Sequence, residues 1–130
     1  MVYDAFSGAG SGVLDRKLME LGAAVRVING ARDPLFAGRE HPEPNQAGLS
    51  DLSREVARSG ASLGAATDGD ADRFGIVDEN GVFVTPHDFL ALLLDYLAGL
   101  GKTGAAVRSV TTGSLLDRVA SARDIPVKVT

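Results

Sequence analysis

Asp68, Asp70 and Asp72 alternate with Gly69 and Ala71 and run directly into Arg73. Three carboxylates at i, i+2 and i+4 can serve one cation only if the backbone curls. On a straight strand they share a face but stand about 6.7 Å apart. On a helix, alternate residues are turned by about 200°. A loop can gather them, and the small intervening residues allow a tight bend. Anions so gathered raise one another's pKa unless a cation sits among them. The chain has no Cys and no His in this stretch, so the donor set is hard oxygen. That favours Mg²⁺, Mn²⁺ or Ca²⁺ over Zn²⁺.

The plainer alternative is a solvated acidic turn between two strands, since Asp and Gly are common in turns. Three alternating carboxylates followed by an arginine favour the metal. A calcium loop of the EF-hand type places Asp68, Asp70 and Asp72 at its positions 1, 3 and 5 and Glu79 at position 12. Arg73 stands where that loop needs Gly, however, and the flanks read as strands, so it is rejected. Arg73 beside a cation site makes sense if a phosphate bridges both, a guanidinium and a metal together neutralising the group in transfer. Its competing role is a salt bridge to a neighbouring Asp.

The elements that must position this loop read as a small α/β domain. Val2 to Phe6 is strand-like and ends in a glycine turn, Ser7 to Gly12. Val13 to Leu21 has helical apolar spacing with Gly22 as a stop. Ala24 to Ile28 is a second strand, and the βαβ unit favours parallel pairing. Pro34, Pro42 and Pro44 break Asn29 to Ala47. Leu49, Leu52, Val56 and Ala57 predict a helix ending near Gly60, and Ser62 to Thr67 a third strand. Phe74 to Asp78 and Val82 to Val84 flank Asn80-Gly81, a hairpin signal. Thr85, Pro86 and Asp88 begin a helix that runs to Gly99, and its stripe of Phe89, Leu90, Leu93, Leu94 and Leu97 reads as core. The expected fold is three-layer α/β/α, with the strand after Arg73 antiparallel because a short loop joins it. The acidic loop then lies at the carboxyl end of the third strand. Gly99 to Gly104 reads as a linker, after which strand Ala106–Val110, helix Ser114–Ala122 and strand Val127–Thr130 restart the pattern.

The whole chain is consistent with this. Its 130 residues are 45% hydrophobic and 23% charged, which excludes wholesale disorder. A net charge of −4 argues against a general nucleic-acid binder. The longest apolar run, Phe89 to Leu94, is too short to span a bilayer, and no signal peptide precedes the first strand. A cytoplasmic protein with no membrane or nucleic-acid partner is expected. Gly8 to Gly12 fails the dinucleotide pattern, which would need Gly at Val13 or Asp15, and reads as a strand-to-helix turn. Gly101-Lys102-Thr103 lacks the first glycine of a P-loop, which would fall at Tyr96. His41 reads as an exposed loop residue, and His87 as a residue of the first turn after Thr85.

Ala65 to Asp78, read as Ala-Ala-Thr-Asp-Gly-Asp-Ala-Asp-Arg-Phe-Gly-Ile-Val-Asp, resembles the metal-binding loop of the α-D-phosphohexomutases, the phosphoglucomutase and phosphomannomutase enzymes. The opening strand and glycine turn, Leu49-Ser50-Asp51-Leu52, and Thr85-Pro86 before a Leu-rich helix agree in order. Arg108 to Thr112 followed by Leu115 to Arg118 is similar to the start of the family's next domain. The resemblance implies domain 2 over residues 1–101, with a mixed four-stranded sheet of order 2-1-3-4 and strand 4 antiparallel. Residues 102–130 would be the truncated start of domain 3, an incomplete βαβ segment.

The resemblance also implies a function. A phosphoserine on domain 1 donates its phosphoryl group to a hexose phosphate, and a bisphosphorylated sugar returns the other, interconverting hexose 1-phosphate and 6-phosphate. Mg²⁺ would be held by Asp68, Asp70 and Asp72, and Arg73 would contact the phosphate. The Ser-His-Asn-Pro phosphoserine loop and the Gly-Glu-x-Ser sugar loop are not in this sequence, so the chain alone is expected to be inactive. A stand-alone divalent-metal-binding or interaction module without catalysis is the alternative. Exposed strand edges after Gly104 predict self-association.

Overall fold

The computed structural model describes residues 1–102 and 104–130; of the predicted linker, Thr103 lies outside the described residues. The chain forms two compact units, Met1–Val84 and Thr85–Thr130. The first contains β1 (Val2–Asp4), α1 (Leu14–Glu20), β2 (Arg26–Ile28), a 3₁₀ turn (Phe36–Gly38), α2 (Ser50–Ser59), β3 (Gly64–Thr67), β4 (Phe74–Val77) and β5 (Phe83–Val84). Its sheet has the order β2-β1-β3-β4-β5. β1 pairs in parallel with β2 and β3, whereas β3–β4 and β4–β5 are antiparallel. The order 2-1-3-4 with an antiparallel fourth strand is therefore present. The sheet is five-stranded rather than four-stranded because the Asn80-Gly81 hairpin returns β5 onto β4. Asp78 holds that turn, its Oδ1 accepting from the Asn80 and Val82 amides at 2.9 and 2.8 Å.

Alternation along the strands sorts the two faces of the sheet. Val2, Gly64, Ala66 and Val77 lie on the face covered by α2, which contributes Leu52 and Val56; Leu49, just before the helix, and Phe6 complete a fully buried cluster. Each such side chain contributes about 1.5–3 kcal/mol by leaving water. Leu49, Leu52 and Val56 are one row on the helix, while Ala57 faces outward. The helix stops at Gly60, whose φ of +65° suits the left-handed cap. On the opposite face Tyr3 and Thr67 share a hydrogen bond of 2.7 Å between their hydroxyls. The glycine turn is laid over that pair: a Cβ on Gly10 would lie 2.5 Å from Thr67 Oγ1. At the end of β1, Asp4 is fully buried. Its Oδ1 accepts from the Phe6 amide and Asn29 Nδ2, both at 2.9 Å, but Oδ2 has no partner among the described residues. Burial, partly offset by these bonds, holds the Asp4 carboxyl above the ordinary carboxylate range.

The second unit contains α3 (Pro86–Gly99), β6 (Ala106–Arg108), α4 (Leu115–Ala122) and β7 (Val127–Val129). β6 and β7 form a parallel two-stranded sheet. Thr85 caps α3, accepting from the Asp88 amide at 3.2 Å. His87 does more than sit in the first turn, since its Nδ1 accepts the Gly113 amide at 3.1 Å. Arg108 pairs with Asp117 through Nε and Nη2 at 2.7 and 2.6 Å. The apolar stripe of α3 is not core here. Leu90, Leu93 and Leu97 are 37–39% exposed, and Ala91 is the buried residue of the helix. Within this unit two strands offer too little sheet surface to cover a fourteen-residue helix.

A Cβ on Gly64 would overlap Val77 Cγ2 and come within 2.7 Å of Val56 Cγ2. Gly64→Ala should therefore cost about 1–3 kcal/mol by overpacking, read as a lowered urea midpoint; an unchanged midpoint would contradict the packing described. Asp4 gives a pH prediction. Because its folded pKa is raised, its contribution to stability is full below the unfolded carboxylate pKa and is lost as pH rises through the folded value. Asp4→Asn keeps the accepting oxygen and removes the buried charge. The variant should melt above wild type at pH 7 and lose that advantage near pH 3; equal melting at both pH values would refute the assignment.

Candidate metal centre

The acidic loop connects β3 to β4 and is closed by main-chain bonds. The Asp68 amide donates to the Arg73 carbonyl and the Ala71 amide to the Asp68 carbonyl, both at 3.2 Å. Ala71 takes a left-handed φ of +65°, a conformation that costs a non-glycine residue energy and is kept here by the closed turn. The bend has the consequence expected of it. One carboxylate oxygen from each of Asp68, Asp70 and Asp72 lies within 4.8 Å of the others. Oxygens at 2.0–2.1 Å from Mg²⁺ stand at most about 4.2 Å apart, and around Ca²⁺ about 5 Å. The trio is thus within a small side-chain rotation of the first and within range of the second, so the donor set fits a hard divalent ion.

The three carboxylates are not equivalent. Asp68 is 1% exposed, whereas Asp70 and Asp72 are at the surface. Burial alone raises the pKa of Asp68. The Arg73 backbone N–H on Oδ1 at 3.0 Å and Arg73 Nε on Oδ2 at 2.8 Å outweigh it, with Asp72 assisting, and the carboxyl ends below its usual range. Asp72 moves the other way, raised first by its hydrogen bond to Asp68 and then by the charge of Asp70. Crowded like charges push carboxyl pKa values apart in this way. Arg73 is held above the ordinary guanidinium range by Glu43 and then Asp68. It therefore stays charged throughout the accessible pH range.

The loop is placed by close backbone approaches. Gly69 accepts the Ala9 amide at 2.9 Å, and a Cβ on Gly8 would overlap the Gly69 carbonyl. The glycine turn after β1 therefore serves as a support for the acidic loop, through contact that only a missing side chain permits. From the other side Phe36 and Pro42 lie where a Cβ on Gly69 would sit, at 2.8 and 3.1 Å. The resulting cleft of about 300 Å³ is lined by Phe36, His41, Pro42, Glu43, Asp68, Gly69, Asp70 and Arg73.

All four residues expected from the sequence, Asp68, Asp70, Asp72 and Arg73, come together. Arg73 does bridge to its neighbour Asp68, the competing role considered above, but it also reaches Glu43 Oε1 at 3.1 Å. His41 is exposed, as expected, and lines the cleft. Glu79 lies beyond the loop in the β4–β5 hairpin and is not in the carboxylate group. Sequence reasoning missed Glu43, Phe36 and Pro42, thirty or so residues upstream. The run Pro42-Glu43-Pro44 was their signal, two fixed φ angles around one charge, but nothing in it names the loop it faces.

Comparison with known proteins agrees with this geometry. The family described as "Phosphoglucomutase/phosphomannomutase, alpha/beta/alpha domain II" matches residues 1–81. The chain is 39% identical over 120 residues to a phosphoglucomutase/phosphomannomutase of Thermococcus kodakarensis, covering 92% of this chain and 26% of that protein. It is 38% identical over 119 residues to a phosphopentomutase of the same organism, again 92% and 26%. Among solved structures, parafusin (phosphoglucomutase) from Paramecium in its open form superposes with a TM-score of 0.84 at 29% identity, over 100% of this chain and 24% of that one. The chain thus spans about a quarter of the length of the curated relatives it matches. On sequence, sheet order and a converging acidic loop alike, it belongs to the phosphoglucomutase/phosphomannomutase family, with the family's α/β/α domain II matched over residues 1–81.

Proposed function

We propose that this chain supplies the metal-binding part of a phosphohexomutase. Residues 1–101 act as the second domain and residues 102–130 as the opening of the third. Asp68, Asp70 and Asp72 hold Mg²⁺, and Arg73 contacts the phosphoryl group that passes between a serine elsewhere in the enzyme and a hexose phosphate. The supporting observation is the convergence of three carboxylate oxygens within 4.8 Å, with a permanently charged guanidinium bonded to one of them. When bound, the divalent ion supplies charge neutralisation on a phosphoryl oxygen. The chain's own part is to fix that charge and to offer Arg73 as a hydrogen-bond donor to the same group.

The two sugars named by the relatives, hexose in one and pentose in the other, go with nearly equal identities of 39% and 38%. A segment so evenly similar to both is not where the sugar is chosen. It handles the phosphoryl group that all such substrates share, and the fragment without a phosphoryl donor is silent.

Asp70 is the informative ligand to remove, because it is exposed whereas Asp68 is buried and holds Arg73. Calorimetric titration of Mg²⁺ into the wild-type chain should show weak binding to one site, and Asp70→Ala should weaken it about tenfold or more, since affinity follows ligand charge. Equal heats from both proteins would sink the metal assignment. A second outcome concerns turnover. The 130-residue chain with Mg²⁺, glucose 1-phosphate and the corresponding bisphosphate should give no 6-phosphate above the uncatalysed rate; measurable conversion would show a phosphoryl donor within these residues.

A further inference from the structure

We propose that Glu43 is a positioning residue for Arg73, fixing the guanidinium so that it can donate to a phosphate; this rests on the reading of Arg73 given above. Two of the three guanidinium nitrogens are taken by carboxylates. Nε donates to Asp68 Oδ2 at 2.8 Å and Nη1 to Glu43 Oε1 at 3.1 Å. The two acceptors come from different segments, thirty residues apart, so together they determine the plane and the rotation of a group that either alone would leave free to turn. Nη2, which has no carboxylate partner among the described residues, is the nitrogen left for an incoming anion.

The backbone around Glu43 is built for this. Pro42 and Pro44 flank it, each seated on a glycine of the site. A Cβ on Gly69 would come within 3.1 Å of Pro42 Cγ, and a Cβ on Gly75 within 2.5 Å of the Pro44 carbonyl and 2.9 Å of its Cβ. Gly69 lies before Arg73 in the chain and Gly75 after it, so the Pro42-Glu43-Pro44 run straddles the arginine. A turn that brings Gly48 against the Glu43 carbonyl, with Asn45 Oδ1 accepting the Gly48 amide at 2.9 Å, closes the far side. Pro42 and Pro44 fix their own φ angles, and Pro44 restricts the backbone of the residue before it, so Glu43 starts from a limited set of conformations.

Stability does not account for the arrangement. Arg73 is 58% and Glu43 45% exposed in their side chains, and ion pairs of that exposure add little to folding. Nor does simple charge, because a carboxylate beside a phosphate site repels the phosphate. Arg73 Nε already borders the acidic trio, 2.8 Å from Asp68 Oδ2 and 3.5 Å from Asp72 Oδ1, and Glu43 holds the opposite edge of the guanidinium.

The sign of the effect separates positioning from electrostatics. The 130-residue chain, saturated with Mg²⁺, is titrated with inorganic phosphate while the Nε–H signal of Arg73 is followed in ¹⁵N-arginine-labelled protein. Positioning predicts that Glu43→Gln weakens phosphate binding by roughly three- to tenfold and broadens the Arg73 signal. Glu43→Asp, which keeps the charge but shortens the reach, should behave alike. In an Arg73→Met background Glu43→Gln should no longer weaken binding; with no arginine to position, loss of the repelling charge should leave it equal or slightly tighter. Tighter or unchanged binding in Glu43→Gln overturns the proposal, as does an equal loss in the Arg73→Met background. Wild-type protein that binds Mg²⁺ but shows no phosphate response at Arg73 removes the underlying reading of Arg73, and the proposal falls with it. A conserved amide spectrum in each variant shows that the fold is retained.

Discussion

The burial of one carboxylate at the end of a strand organises this site. Asp68 is almost wholly removed from water, and an ionised carboxylate in that position is costly unless its oxygens are engaged. Arg73 engages both, the backbone N–H on one oxygen and Nε on the other. Those two bonds span five residues and can form only if the chain between them turns back on itself. The curl that gathers Asp70 and Asp72 is therefore a consequence of keeping Asp68 charged and satisfied. The same closure sends β4 back antiparallel to β3, so the reversal in sheet order and the acidic loop have a single cause.

Around that loop the fold is a set of places where side chains have been left out. Gly8 admits the Gly69 carbonyl, Gly69 admits Phe36 and Pro42, and Gly75 admits Pro44. On the helix side Gly64 admits Val56 and Val77, which lets α2 press against β3 and anchor the strand from which the loop emerges. Among the described residues, five of the seven non-glycine residues with left-handed φ, Phe6, Ser7, Phe36, Ala37 and Ala71, lie in the three segments that meet at the loop. Backbone strain of this kind persists where surrounding packing enforces it.

Much of this was legible in the sequence, for identifiable reasons. The Asp-x-Asp-x-Asp-Arg run declared its own geometry, because neither strand nor helix could bring three such residues to one point. The Leu49-Leu52-Val56 row, Gly60 and the Thr85-Pro86 start obeyed local rules and appeared within a residue or two of their expected ends. What was not legible depended on distant partners. Nothing in Pro42-Glu43-Pro44 indicates that it faces Arg73 across thirty residues. The glycine turn looked like an ordinary strand-to-helix connection because its partner is a carbonyl in another loop. The stripe on α3 has core spacing, but spacing reports amphipathicity and says nothing about whether a surface is present to receive it.

The charge around the cleft bears on how a phosphoryl group is handled. In the proposed role, a divalent ion and the Arg73 guanidinium together balance the three aspartates, and Glu43 leaves the immediate surroundings net negative. A site designed only to capture phosphate would accumulate positive charge instead. Binding that is equally strong in every state lowers the ground state with the transition state and gains no rate. A group that must be received and then given up is better served by donors held in a fixed geometry against a weakly attractive background. Glu43 contributes to both conditions, orienting a donor through one oxygen while its charge keeps the pocket from becoming a trap.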